Sequence, residues 1–275
     1  IDVALANPEQ ALAVIGLIAD VMPLIGPARR LARAGLRQLR EQAPPGLQAL
    51  MRLAKLDAKT ISASDIGFLI APAINAPGRL ESPDPAWQLL ATDDPESSEK
   101  LAQVVWDANL KRRALTTQAL AAADTVNPNT PGIIVANDQW PLGLAGLVAG
   151  QLMNRYDKPV MALAWHHGHW HGSIRNPWPT DIVATLKDIP GIIQLGGHPQ
   201  AAGIRIAPDQ LPKVQDIWNE RLAVIATNLP EPVQWFDGPM KPETLERPEW
   251  YWIFDHLAPF GPGNPPPTVR VTWPT

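Results

Sequence analysis

The sequence predicts an α/β protein built from several units, and three observations predict it. Short apolar strand patterns alternate with helix-length segments between residues 130 and 228. An unbroken helical pattern fills the stretch from 94 to 124, and 45% of the 275 residues are hydrophobic against 18% charged, the balance of a folded chain. The absence of Cys excludes a disulfide scaffold, a thiolate metal site and a Cys nucleophile, and it fits a reducing compartment.

Taken in order, residues 8 to 22 and 27 to 41 read as helices, and a shorter one follows over 47 to 56 after Pro44-Pro45-Gly46. The apolar run Ala11 to Ala19 stops at Asp20, about half of the ~20 residues that a membrane-spanning helix needs, so no spanning segment is expected. The chain begins with Ile, and no basic run precedes that stretch, so it is expected to be a fragment of a longer protein. The region to 93 is helix-rich. Asp94 is placed to cap the next helix, with Pro95 at its first position and Glu96 near the positive end of its dipole. Leu101, Ala108, Leu115 and Ala122 recur there every seven residues, the narrow seam of a connector, while Asn109, Arg112 and Arg113 interrupt its middle. After the turn-rich Asn127 to Gly132 stretch, Ile133 to Val135 reads as a buried strand, Leu142 to Tyr156 as a helix and Pro159 to Leu163 as another strand. Beyond 229 prolines become dense and Trp235, Trp250, Trp252 and Trp273 appear, which predicts a third, incomplete unit. The expected units are therefore 1–93, 94–124, 125–228 and 229–275.

Formal net charge is -4, so any polyanion must be held by local clusters. Arg30, Arg33, Arg37 and Arg40 follow the spacing of one helical face, either a basic stripe for a nucleic acid or the solvated side of an amphipathic helix. Gly196-Gly197-His198-Pro199-Gln200-Ala201-Ala202-Gly203 combines glycines that let main-chain N–H groups approach a ligand with alanines that do not block it. It reads as a phosphate-holding loop to which His198 adds a donor, or as an ordinary tight turn. Ser173 and Arg175 alternate in an extended segment and so address one side, where a hydroxyl and a guanidinium fork suit an anion. Arg79 lies in Asn75 to Leu80, expected as a turn that displays its side chain. The histidines at 166, 167, 169 and 171 resemble a metal cluster, but Gly168 and the flanking tryptophans favour a polar hairpin. Asp20 is either a metal ligand or a cap.

In this order the pieces resemble the RecJ-like branch of the DHH phosphoesterase superfamily. Ile18-Ala19-Asp20-Val21-Met22-Pro23-Leu24 is similar to the last metal-ligand motif of the DHH domain, and Ile74 to Leu80 to its arginine-bearing motif. Asn109, Arg112 and Arg113 match the connecting helix. Gly143 to Ala149, Gly172 to Arg175 and Gly196 to Gly203 resemble successive motifs of the DHH-associated domain, and Pro259 to Pro265 the lead-in to an OB-like domain. No Asp-His-His triplet occurs, and Asn176 stands where the family commonly has Ser.

The resemblance implies the helix-rich end of a DHH domain, a long connecting helix, an α/β DHH-associated domain and the start of an OB-like β domain. It implies a 5′-to-3′ single-strand DNA exonuclease of DNA repair and recombination, using Mn²⁺ or Mg²⁺ in a two-metal hydrolysis. Asp20 would be one metal ligand, with the catalytic residues mostly outside the chain. Arg79, Ser173 and Arg175 would take the 5′ phosphate, and Gly196, Gly197, His198 and Gly203 an adjacent phosphate. The expected setting is a cytoplasmic monomer whose partners are 5′-phosphorylated single-stranded DNA and repair or replication proteins, with no membrane. Two other readings stay open: a DHH phosphodiesterase for short oligonucleotides or cyclic dinucleotides, which would lack the OB-like extension, and a non-catalytic RecJ-like binding module, which would lack the upstream metal motifs.

Overall fold

The computed structural model describes residues 7–123, 126–231 and 233–272, so Trp273 lies outside the described residues. The chain divides into two compact units, one of residues 1–77, 82–109 and 232–275 and the other of 78–81 and 110–231.

The first unit opens with α1 (Asn7–Ala19), α2 (Gly26–Gln42), α3 (Pro45–Leu53), the single turn α4 (Ala63–Asp65), α5 (Ala71–Leu80) and α6 (Asp84–Ala91). Val14, Leu36, Leu39, Leu47, Leu50, Ile66 and Leu89 form its core. Helix α1 crosses α2 closely because Gly35 has no Cβ; one would collide with the Gln10 carbonyl oxygen and the Val14 side chain. Helix α1 ends at Ala19, not at 22, where the N–H groups of Val21 and Met22 return to the carbonyls of Ile18 and Leu17 at 3.1 and 3.0 Å. The Asn75 to Leu80 stretch, expected as a turn, is the last part of α5. Pro77 removes one helical hydrogen bond, but a wide π turn over Ile66–Ile70 leads in, and burial of Ala71, Ala73, Ala76 and Pro77 carries the helix through.

Helix α7 (Pro95–Ala122) is capped as expected, with the Ser97 N–H donating to Asp94 Oδ2 at 2.8 Å. That bond, with the main-chain contacts around it, holds the Asp94 carboxyl below its ordinary value. Its buried seam is shifted by one residue from the expected Leu101, Ala108, Leu115, Ala122 set. Ala102, Val105, Asn109, Thr116 and Ala119 are buried with Ala123 just beyond the helix, Arg112 is half-buried, and Arg113 is exposed. Counting apolar residues alone misses this register because its central positions, Asn109, Arg112 and Thr116, are polar.

The second unit holds one sheet. Strand β1 (Ile133–Asn137) leads through a short turn at Leu142–Leu144 into α8 (Ala145–Tyr156), followed by β2 (Val160–His166), β3 (His169–Arg175), α9 (Ile182–Leu186), β4 (Ile192–His198), β5 (Ala201–Ile206) and α10 (Leu211–Ala226). The strand order is β1-β2-β3-β5-β4, with β1 and β2 parallel and the other pairs antiparallel. Period-2 alternation sends Ile174, Ala202, Ile204 and Ile206 to one face, where they pack with Val214, Trp218 and Leu222 of α10. On the other face Val160 and Ala162 of β2 pack with Val148, Ala149 and Leu152 of α8 and Ala119 of α7. The Gly196 to Gly203 element is no open loop: it is the β4–β5 hairpin, paired from Gly196↔Gly203 to His198↔Ala201, and Gly197 lets its backbone approach the Ala201 carbonyl closely. His167 and Gly168 have φ of 45° and 77° and turn the chain between β2 and β3, the hairpin expected from Gly168 and the flanking tryptophans.

Residues 233–272 belong to the first unit and contain β6 (Gly238–Met240), α11 (Pro242–Leu245), α12 (Glu249–Leu257) and β7 (Val269–Val271), with β6 and β7 parallel. The Arg29 guanidinium on α2 donates to the carbonyls of Leu257, Ala258 and Pro259, and the Leu24 N–H donates to Pro262 O at 2.6 Å. Four main-chain carbonyls thereby tie this segment to the start of α2. No helix among the described residues is long and apolar enough to cross a membrane.

Candidate functional site

Strand register builds the site from below. Ser173 faces Gly203, which faces Gly196, and two residues along Arg175 faces Ala201, which faces His198. Directly paired residues share a face, so Ser173, Arg175, Gly196, His198 and Gly203 stand on one side of the sheet. Gly197 pairs with Ala202, which pairs with the buried Ile174, so its register position belongs to the opposite side. The site face is bare at its centre. A Cβ at Gly196 would meet nothing within 4 Å, and one at Gly203 only the Gly196 carbonyl at 3.9 Å. Packing does not demand glycine at either position, and the bare backbone leaves room for a ligand.

Helix α8 brings its N-terminus to the edge of this face. A Cβ at Gly146, in its first turn, would lie 3.1 Å from Arg175 Nη2 and 3.4 Å from Ser173 Oγ. No side chain caps that end of the helix, the N–H groups of Leu144 and Ala145 already donate to the Pro141 and Leu142 carbonyls, and the positive end of its dipole lies beside Arg175 and Ser173. Arg175 Nη1 is held by the Ile174 carbonyl at 2.8 Å, which orients Nη2 toward Gly146. Arg79, at the end of α5, donates from Nη1 to Gly143 O at 3.2 Å, and its main chain packs so closely on Gly143 that a Cβ there would collide with the Arg79 carbonyl. Burial lowers the pKa of Arg175, and the Arg79 charge lowers it further; Arg112 is lowered by burial, then by Arg79 and Arg113. The charge acting on the Arg175 guanidinium is thus positive. A half-desolvated group of like charges is costly until an anion enters, and the N-terminus of α8, the Ser173 hydroxyl and the Arg175 fork supply donors for one.

The hairpin turn that carries His198 is anchored from beneath by Asn176, which is buried. Its side-chain amide donates to Thr180 O at 2.9 Å and Pro199 O at 3.2 Å, and its carbonyl oxygen accepts from the Trp178 N–H at 3.1 Å. Asn176 therefore positions the Arg175 and His198 row. Gly197 has a φ of 145°, and a Cβ on it would collide with the Ala201 carbonyl. Gly197→Ala is accordingly expected to lower the melting temperature by several degrees, a cost of about 1–3 kcal/mol. Gly196→Ala is expected to leave melting unchanged and to weaken anion binding, both readable in one thermal titration with a phosphorylated nucleotide.

Asp20 belongs to the first unit and is exposed in the turn after α1. The next residue, Val21, has φ 55° at a position where glycine is favoured, and a β-branched side chain is strained there. The residues described do not by themselves make a metal centre: among them no group of three or more His, Asp or Glu is arranged to hold an ion. The histidines of the β2–β3 hairpin are included in that statement. Sequence reasoning weighed His171 only within a histidine cluster, quoted Gly146 only within the Gly143 to Ala149 motif and did not single out Arg205; the signal that places His171 and Arg205 on the open face is alternation by two from Ser173 and Gly203.

Residues 129–223 match the DHHA1 domain family. Over 272 residues the chain is 33% identical to the single-stranded-DNA-specific exonuclease RecJ of Bacillus subtilis, covering 94% of this chain and 34% of that protein. Against RecJ of Dickeya dadantii the identity is 30% over 291 residues, covering 96% and 49%. The crystal structure of RecJ from Thermus thermophilus in complex with Mn²⁺ superimposes with a TM-score of 0.83 at 28% identity, over 96% of this chain and 40% of that one. The helical first part, the DHHA1 sheet and the shared sequence thus agree, and the chain is a RecJ homologue with a DHHA1 domain that spans about a third to a half of the length of the curated relatives it matches.

Proposed function

We propose that this chain serves a 5′-to-3′ single-strand DNA exonuclease of DNA repair and recombination, and that its second unit holds the 5′-terminal phosphate of the strand. The observation that carries this reading is the convergence of Arg175 Nη2 and Ser173 Oγ on Gly146 at the uncapped start of α8. A terminal phosphate is dianionic near neutral pH and presents three oxygens. It can accept from the Arg fork, the Ser hydroxyl and the helix N–H groups at once. Arg79 and Arg112 add positive potential without needing to touch the ligand. His198 and the bare backbone at Gly196 and Gly203 lie beside this point and accommodate the adjoining sugar-phosphate. Fixing that end sets which bond lies one nucleotide away, so the unit contributes by positioning.

In this reading residues 1–93 are the C-terminal part of a DHH domain, 94–124 the connecting helix, 125–228 the substrate-binding domain and 229–275 the opening of an OB-like domain. Asp20 would donate one carboxylate to Mn²⁺ or Mg²⁺, ions that would supply hydrolytic chemistry; the RecJ structures of Thermus thermophilus bound to these ions support that choice. The test is Gly146→Leu, whose side chain fills the space before Arg175 and Ser173. Binding of a 5′-phosphorylated oligonucleotide to the full chain is expected to fall about 100-fold, to the level of its 5′-hydroxyl counterpart. Equal binding of the two oligonucleotides by the unsubstituted chain would refute the reading.

A further inference from the structure

The sheet has a second opening, on the face opposite Ser173 and Arg175. Ile134 of β1 packs there with the core that Ile174 and Ile204 share with α10, and β1 is an edge strand, so Ile134 is only partly covered. A cavity of about 250 Å³ lies against it. Gln215 and Asn219, one turn apart on α10, form one wall, and Asn127 and Thr130 of the turn before β1 form another. Val126 and Ile134 add apolar surface. The turn is held in place: the Thr130 hydroxyl donates to Asn127 O at 3.0 Å, and Lys158 Nζ donates to the carbonyls of Pro128 and Thr130 at 2.6 and 2.9 Å. Among the described residues, no charged side chain lines the cavity.

Two buried polar atoms beside it have no hydrogen-bond partner. One is Asn219 Oδ1, in the cavity wall; the other is Nε1 of the fully buried Trp218, directly behind Gly132, which also lines the cavity. Buried polar groups are paired in nearly all native structures, so an unpaired acceptor in the wall of a polar cavity points to a ligand that donates to it. Bridging these atoms takes one or two waters, whereas the cavity has room for about eight at ~30 Å³ each. It is smaller than the ~300 Å³ at which drug-sized sites begin, which suits one ring system and excludes a dinucleotide. Asn127 Oδ1 is taken by the Asn129 N–H at 3.0 Å, which leaves its amino group to donate into the cavity. Acceptors and donors on uncharged carboxamides, beside apolar walls, match a planar neutral heterocycle better than a phosphate. Side-chain amides pair in plane with adenine, accepting from its exocyclic amino group and donating to the neighbouring ring nitrogen.

We propose that this cavity binds an adenine base, whose amino group donates to Asn219 Oδ1 and whose ring packs on Val126 and Ile134. The cavity shares no residue with the Ser173 and Arg175 site and lies on the other face of the sheet. It therefore takes the base without needing a phosphate, and it does not depend on the 5′-phosphate reading.

The test adds adenosine or inosine, neither of which carries a phosphate, to the full chain and follows binding by calorimetry. Inosine has an oxygen in place of the amino group and sets an acceptor against Asn219 Oδ1, so it is expected to bind at least about 10-fold more weakly than adenosine. Asn219→Leu and Gln215→Ala are each expected to weaken adenosine about 10-fold; Gln215 is exposed, so its variant keeps the fold. The Trp218 indole N–H resonance, assigned by its loss in Trp218→Phe, is expected to move as adenosine is added. Displacement of adenosine by a 5′-hydroxyl oligodeoxyadenylate identifies a DNA strand as the source of the base, and no displacement identifies a free nucleotide. Absence of saturable adenosine binding overturns the proposal and leaves water as the occupant. Equal binding of inosine, or adenosine binding that ignores both variants and leaves the Trp218 resonance in place, overturns it as well. Each of these results leaves the 5′-phosphate site standing.

Discussion

Arg175→Ala is expected to lower affinity for 5′-phosphorylated single-stranded DNA by about 100-fold and to abolish discrimination against a 5′-hydroxyl end. The magnitude follows from the kind of bond lost. A hydrogen bond to a charged group contributes about 1.5–3 kcal/mol, and 100-fold corresponds to about 2.7 kcal/mol. Arg175 is half-buried, with Nη1 bound to Ile174 O and Nη2 turned to the space before Gly146, so the guanidinium reaches the ligand without rearrangement. Arg175→Lys keeps a charge but loses the fork, and a smaller loss of about 10-fold is expected from it. Competition binding with paired phosphorylated and unphosphorylated oligonucleotides measures both. Equal affinity for the two ends in the alanine variant is the expected result; a preserved phosphate preference would show that the anion is held elsewhere.

Trp218→Ala is expected to destabilise the second unit by about 3–5 kcal/mol, enough to unfold a marginal domain. Trp218 is fully buried under β3 and β5, packed with Ile174, Ala202 and Ile204 on the face opposite the site, and Gly132 lies against its ring. Its Nε1 has no hydrogen-bond partner, so Trp218→Phe gives up packing volume but no such bond, and a loss of about 1–2 kcal/mol is expected. Denaturant unfolding followed by circular dichroism separates the two variants. Because Ser173 and Arg175 alternate with Ile174 on one strand, phosphate binding is expected to disappear in the same transition as the sheet.

The α/β class, helices α1, α2, α3, α7 and α8 and the strand at Ile133 were legible because each carries its own period: apolar residues at helical spacing in α2, a short branched run in β1. Ser173 and Arg175 were legible for the same reason, since alternation in an extended segment assigns a shared side before any fold is known. Where polarity contradicts burial, the pattern misleads. The seam of α7 runs through Asn109 and Thr116, so counting apolar residues places it one residue away. Pro77 and Gly78 signal a turn, yet packing keeps α5 helical through them.

What no local pattern contains is which residues from distant segments meet. Gly146 reaches Arg175 because α8 crosses β3, and Arg205 reaches His171 because β5 pairs with β3 in one register out of several. The sequence by itself determined which strand side each residue takes and which chemical groups are on offer. Only the tertiary structure decided that a helix start, a hydroxyl and a guanidinium share one point. Periodicity is a property of neighbours along the chain, whereas an anion site requires charges gathered across it at the expense of their mutual repulsion.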